Sequence, residues 1–186
     1  KISIQTGTSH GGVPGPDGKV LQVNLDFDCL ENLSRISREE YGLAGAVQHG
    51  ASTLPSDLFN KFPELETAEI HLATDFQNMI YDHQQFPVDL REEIYAYLRK
   101  NFASDKKETD TDEQFIYKTR KKGFGQFKSK FWNISDDVKL EIGNQLEKKV
   151  EYLFTQLKVE NTLEMAEKTI KPVKVFPDLA REIAAA

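Results

Sequence analysis

The chain has 186 residues, 39% of them hydrophobic, and its 24 basic and 30 acidic side chains leave a formal net charge of −6. That is enough apolar material for one packed domain, while the acidic balance excludes wholesale nucleic-acid binding, which rests on phosphate neutralisation by a basic surface. No apolar run approaches the ~20 residues that span a bilayer, the start carries no signal-like segment, and the single cysteine, Cys29, fits a reducing compartment and excludes an internal disulfide. A cytoplasmic protein with no membrane partner is expected.

In chain order, Ile2-Ser3-Ile4-Gln5-Thr6 alternates as a strand does. A Gly/Pro-rich loop over residues 11–18 follows. Residues 28–41 place Leu30, Leu33 and Ile36 at helical spacing, with Asp28 and Glu31 expected as a capping box and Gly42 as a left-handed terminator. Ala44-Gly45-Ala46-Val47 has the all-apolar character of a buried parallel strand. After a helical turn over 55–62, residues 67–73 are expected to form a third strand. The order β-α-β-α-β then gives way to helices.

The first of these is expected over 75–81, and Pro87 opens another that reaches about Asn101, with Leu90, Ile94, Tyr97 and Leu98 on one side. A solvated loop over 104–113 precedes a helix through Lys121 that Thr111 and Gln114 can cap. Ser135, Asp136 and Asp137 begin the longest helix, whose Val138, Ile142, Leu146, Val150, Leu153 and Leu157 form a narrow apolar stripe. Such a stripe packs on the body of the protein or on a second subunit. The tail from Asn161 carries little pattern.

The chemistry is concentrated where Ser9-His10-Gly11-Gly12 and Gln48-His49-Gly50-Ala51 each put a histidine before a glycine at the end of an apolar run. These positions look like successive copies of one place in a βαβ unit, so both imidazoles are expected at the same end of a parallel sheet. Imidazole ligates zinc, and catalytic zinc commonly takes three protein ligands with one open position. His10 and His49 are therefore candidate metal ligands, and His71, in Glu69-Ile70-His71-Leu72-Ala73-Thr74-Asp75, can face the same opening. Gly11, Gly12 and Gly50 let the backbone approach an anion closely, while Ser52 and Thr53 add hydroxyl donors. Asp75 follows a strand end and can orient His71, meet a substrate hydroxyl or cap the next helix. Asp26, Asp28, Glu39 and Glu40 are expected as capping or solvated charge, and His83 as a surface residue.

One basic segment points elsewhere. Lys118, Arg120, Lys121, Lys122, Lys128 and Lys130 interleave with Phe124, Phe127, Phe131 and Trp132, a mixture that can bind single-stranded nucleic acid. The competing expectation is that the aromatics pack on the body while the lysines stay solvated.

The succession Thr8-Ser9-His10-Gly11-Gly12, Val47-Gln48-His49-Gly50-Ala51-Ser52 and Glu69-Ile70-His71-Leu72-Ala73-Thr74-Asp75-Phe76-Gln77 resembles the second half of the class II, zinc-dependent fructose-bisphosphate aldolases, over roughly residues 1–120. The resemblance implies an α/β fold in which residues 1–102 are the last three strands of a (β/α)8 barrel and residues 103–186 a helical extension. It implies zinc held by His10 and His49, a substrate phosphate on Gly11, Gly50 and Ser52, a substrate site lined by Thr74 and Asp75, and a distal phosphate gripped by Arg120 across a homodimer interface. The reaction implied is aldol cleavage and condensation of a phosphorylated ketose in carbohydrate metabolism.

Two departures mark a divergent branch. His71 and Ala73 stand where the family has asparagine and aspartate, and Ala51-Ser52-Thr53 replaces Gly-Ser-Gly. His71 is thus the candidate catalytic residue on this chain, the main acid-base carboxylate being expected on earlier strands. A whole barrel needs about 250 residues, so the chain is expected to be a fragment with little or no activity alone. The alternative is a non-catalytic partner subunit that binds a metal or a sugar phosphate.

Overall fold

The computed structural model describes residues 1–4, 6–8, 11–21 and 23–176. It is a mixed α/β fold, mostly helical, around a small parallel sheet. The strands are β1 (Ile2–Ile4), β2 (Ala46–Gln48) and β3 (Glu69–Ile70), in the order β1-β2-β3. Ile4 lies opposite Gln48, and Gln48 opposite Ile70, so the three strands end along one rim. β2 is buried throughout, as an apolar central strand requires.

β1 and β2 are joined through helix α1 (Phe27–Glu39). The expected capping box of Asp28 and Glu31 is not what starts this helix: Asp26 does, its carboxylate accepting from the Cys29 N–H at 2.8 Å. Asp28 lies in the first turn, where its charge still meets the positive end of the helix. Gly42 behaves as expected, with φ +63° and its N–H on the Arg38 carbonyl, closing the helix end. The third strand is shorter than the expected 67–73. Only Glu69–Ile70 pair as strand, although Ala68 N–H to Ala46 O and His71 N–H to Gln48 O, both 2.9 Å, extend the ladder at each end.

Between β2 and β3 lie 3₁₀ turns at Ala51–Thr53 and Ser56–Leu58 and the short helix α2 (Lys61–Glu64). After β3 come α3 (Thr74–Tyr81), α4 (Val88–Asn101), α5 (Asp112–Thr119), α6 (Gly123–Gln126), α7 (Lys128–Trp132), α8 (Asp136–Gln156) and α9 (Leu163–Thr169). Pro87 immediately precedes α4, and Thr111 with Gln114 forms the expected capping box at α5. The helix predicted through Lys121 tightens into a 3₁₀ turn over Arg120–Lys122.

Two apolar clusters hold the fold. One gathers Leu30, Ala46, Leu54, Phe59 and Phe62 beneath the sheet. The other gathers Tyr81, Phe86, Ile94, Leu98, Phe115 and Phe127 among the helices, so α4 packs with elements on both sides of position 102. Helix α8 belongs to both, giving Ile142 to the helical cluster and Leu153 to the sheet-side one. Of its predicted stripe, Val138 and Leu146 also pack on the helical cluster and Leu157 on the other. No helix among the described residues is long and apolar enough to cross a membrane.

Candidate functional site

The rim where the strands end is built by side chains reaching across it. Gln48, fully buried at the end of β2, receives the Thr6 hydroxyl on its Oε1 at 2.7 Å. Its Nε2 donates to Thr8 Oγ1 at 2.9 Å and to the His49 carbonyl at 2.6 Å, which also accepts the Thr8 hydroxyl at 2.7 Å. The first loop and the end of β2 are thereby tied into one rigid unit. The role of Gln48 was not among the sequence expectations.

His49 and His71 each follow the paired ends Gln48 and Ile70 of neighbouring strands. Their rings meet with centroids 4.2 Å apart at an interplanar angle of 51°. His71 Nε2 also contacts Glu69 Oε1, and Glu69 in turn pairs with Lys1. His10, the other expected metal ligand, lies outside the described residues. Imidazole is a zinc ligand, but among the described residues no group of three His, Cys, Asp or Glu side chains could hold a metal ion.

The glycines open the adjoining surface. Gly50 takes a left-handed φ of +72° and leads into the Ala51–Thr53 turn, which presents Ser52 toward the end of β3. Ser52 Oγ accepts from the Ala73 N–H at 3.1 Å, leaving its own hydroxyl hydrogen to donate. Ala73 is the residue before α3 and offers no side-chain cap, so the first N–H groups of α3 lack an intrahelical acceptor. Gly11, Gly50, Ser52, His49, His71 and Thr74 line a cavity of about 360 Å³.

A second cavity of about 330 Å³ adjoins it, sharing Gly11, Ala73 and Thr74, and is walled by Tyr117, Arg120 and Lys121. Arg120 is buried and its guanidinium is engaged inside the chain. It forks onto Asp82 at 2.7 and 3.1 Å and donates to Asn78 Oδ1 at 2.5 Å, with its carbon 5.2 Å from the Tyr117 ring centre. Burial works against the charge, but the Asp82 carboxylate, helped by Tyr95, holds the guanidinium pKa above its ordinary value. Asp75, expected at the substrate site, pairs with Lys149 of α8 at 2.9 Å, and Lys149 also donates to Ser56. His83 is half-buried, its Nδ1 accepting from the Gln85 N–H.

The basic segment is largely absorbed by the fold. Lys118 pairs with Asp110, Lys122 with Asp105 and Lys130 with Glu93. Phe127 is buried in the helical cluster and Phe124 and Phe131 pack against it, while Trp132 stays exposed beneath Lys128. A stacking platform for bases needs aromatic faces open to solvent, and most of these are used in packing. Comparison with protein-family models, with curated proteins and with solved structures finds no match to this chain.

Proposed function

We propose that this chain carries the metal- and phosphate-binding rim of a zinc-dependent lyase that cleaves and forms the aldol bond of a phosphorylated ketose, on the last strands of a partial (β/α)8 barrel. The observation that carries the reading is the meeting of His49 and His71 above neighbouring parallel strand ends, beside a helix start with no side-chain cap. In open and closed α/β folds alike, ligands sit at the carboxyl ends of the strands.

His49, with His10, would hold the metal, which when bound polarises a ketose carbonyl. The Ser52 hydroxyl and the first N–H groups of α3 suit a phosphate, since a helix start combines free donors with a positive dipole end. Gly11 and Gly50 keep that surface clear of side chains. His71, braced by Glu69, can hold or move a proton next to the same cavity. A second phosphate on the substrate would lie toward Arg120 and Lys121 in the adjoining cavity. The complete enzyme is read as a homodimer to which further strands contribute the remaining ligands.

Titration calorimetry with zinc and with a ketose bisphosphate tests this. Zinc uptake is expected to vanish in His49→Ala, and ketose phosphate affinity to fall about tenfold in Ser52→Ala, the loss of a charge-assisted hydrogen bond. Unchanged zinc uptake in His49→Ala would overturn the metal assignment. Rapid retro-aldol turnover by this chain alone with zinc would show that no further strands are needed.

A further inference from the structure

The loop that borders both cavities is held from outside by one helix face. Gln114 Nε2 donates to Pro14 O, Thr111 Oγ1 to Pro16 O and Tyr117 Oη to Gly11 O, each at 2.8 Å. These three donors stand three residues apart on α5, one per turn along a single face. Thr111 and Gln114 also cap α5, so of the three only Tyr117 can be altered without disturbing the start of the helix.

Tyr117 is itself held. Asn78 Nδ2 lies 3.4 Å from its hydroxyl oxygen, Asn78 Oδ1 takes Arg120 Nη2, and Arg120 is forked onto Asp82. A chain of contacts thus runs from an ion pair between buried Arg120 and exposed Asp82, through an amide and a phenol, to one backbone carbonyl at the rim. That carbonyl needs an anchor. Gly11 and Gly12 have φ +80° and +72°, and consecutive glycines leave a peptide plane with many accessible orientations.

We propose that Tyr117 is a positioning residue: steadied by Asn78 and the Arg120–Asp82 pair, its hydroxyl fixes the Gly11–Gly12 peptide and so the shape of the ligand-binding rim. In this role Arg120 acts on the loop through Asn78, separately from any contact it makes with a second phosphate. Its ligand consequence rests on the phosphate reading of the rim, whereas its effect on the loop does not.

The test is Tyr117→Phe, which deletes the hydroxyl and keeps the ring on Arg120, with Arg120→Lys as a second variant that keeps a charge but loses the fork. Hydrogen exchange and the amide resonances of Gly11, Gly12 and Val13 are read in the full chain, together with inorganic phosphate affinity and the melting temperature. In Tyr117→Phe, exchange at Gly12 is expected to rise about 3- to 10-fold, the worth of one hydrogen bond, with a shifted Gly12 resonance and a melting temperature lowered by no more than about 2–5 °C. Phosphate affinity is expected to fall by a similar factor, and Arg120→Lys to move the same resonances. Unaltered exchange and resonances at Gly11–Val13 in Tyr117→Phe would overturn the proposal. Altered amides in a chain whose parent form binds no phosphate would support the positioning role and remove the phosphate reading instead.

Discussion

The same substitution should change stability in opposite directions at two helical glycines. At Gly123, which has an ordinary helical φ of −69°, an added Cβ would come 2.7 Å from Ile94 Cγ2 and 2.8 Å from Tyr81 Oη. Neither neighbour can yield easily. Ile94 and Tyr81 are both fully buried, and the Tyr81 hydroxyl is held on the Arg120 carbonyl at 2.9 Å. Overpacking a filled core costs about 1–3 kcal/mol, against a helix-propensity gain for alanine of at most about 1 kcal/mol. Since α6 has only four residues, little of that gain is realised, and Gly123→Ala should lose about 1–2 kcal/mol.

Gly143, in the middle of α8, is exposed and has nothing within 4 Å of an added Cβ. There the propensity term stands alone, and Gly143→Ala should gain about 0.5–1 kcal/mol. At about 2–4 °C per kcal/mol for a chain of this size, melting followed by circular dichroism should fall about 2–8 °C for the first variant and rise about 1–4 °C for the second. A Gly123→Ala protein that melts at or above the parent temperature would refute the packing described around Tyr81.

Three further outcomes follow from the contacts. Gln48→Ala removes a buried amide that satisfies the Thr6 hydroxyl and braces the His49 carbonyl, so urea unfolding should show a loss of about 2–3 kcal/mol. Ser34→Ala should cost about 1–3 kcal/mol in the same assay, because Ser34 Oγ donates to the Glu66 carbonyl at 2.9 Å and accepts from Arg38 at 2.8 Å and from the Ala46 N–H at 3.3 Å. Acid should destabilise the fold through Asp112, Asp110 and Asp136, whose carboxyls are held below the ordinary range by hydrogen bonds from Arg99, Lys118 and Lys139 respectively. A depressed folded-state pKa gives stability that is present above about pH 4 and disappears as pH falls through the folded value; unfolding midpoints between pH 3 and 6 should show that decline, shallower in Asp112→Asn.

The elements with local signals were legible. Pro87 before α4, the Thr111 and Gln114 pair before α5 and the acidic start of α8 each act within one turn of the helix they begin. The start of α1 was misplaced because Asp26 and Asp28 offer the same carboxylate two residues apart, and only the backbone angle of Asp26, φ −80° and ψ 91°, makes it the cap. β3 is shorter than the expected 67–73 because pairing ends where β2 ends, a matter of the neighbour and not of its own sequence. At the site, the His49-Gly50 repeat lies at the rim, where His49 meets His71, while the His10 copy lies outside the described residues. The long-range roles of Gln48, Asn78, Asp82 and Tyr117 left no trace in the sequence, since the partners Thr6, Arg120 and Gly11 lie between 38 and 106 residues away.

Helix α8 reaches from Ile142 in one apolar cluster to Leu153 in the other, with Lys149 clasping Asp75 and Ser56 on the way. A strut with an end in each core makes their melting interdependent: heat that frees α8 strips both at once. The chain should therefore unfold in a single calorimetric transition, and deleting the segment after residue 135 should collapse the sheet as surely as the helices.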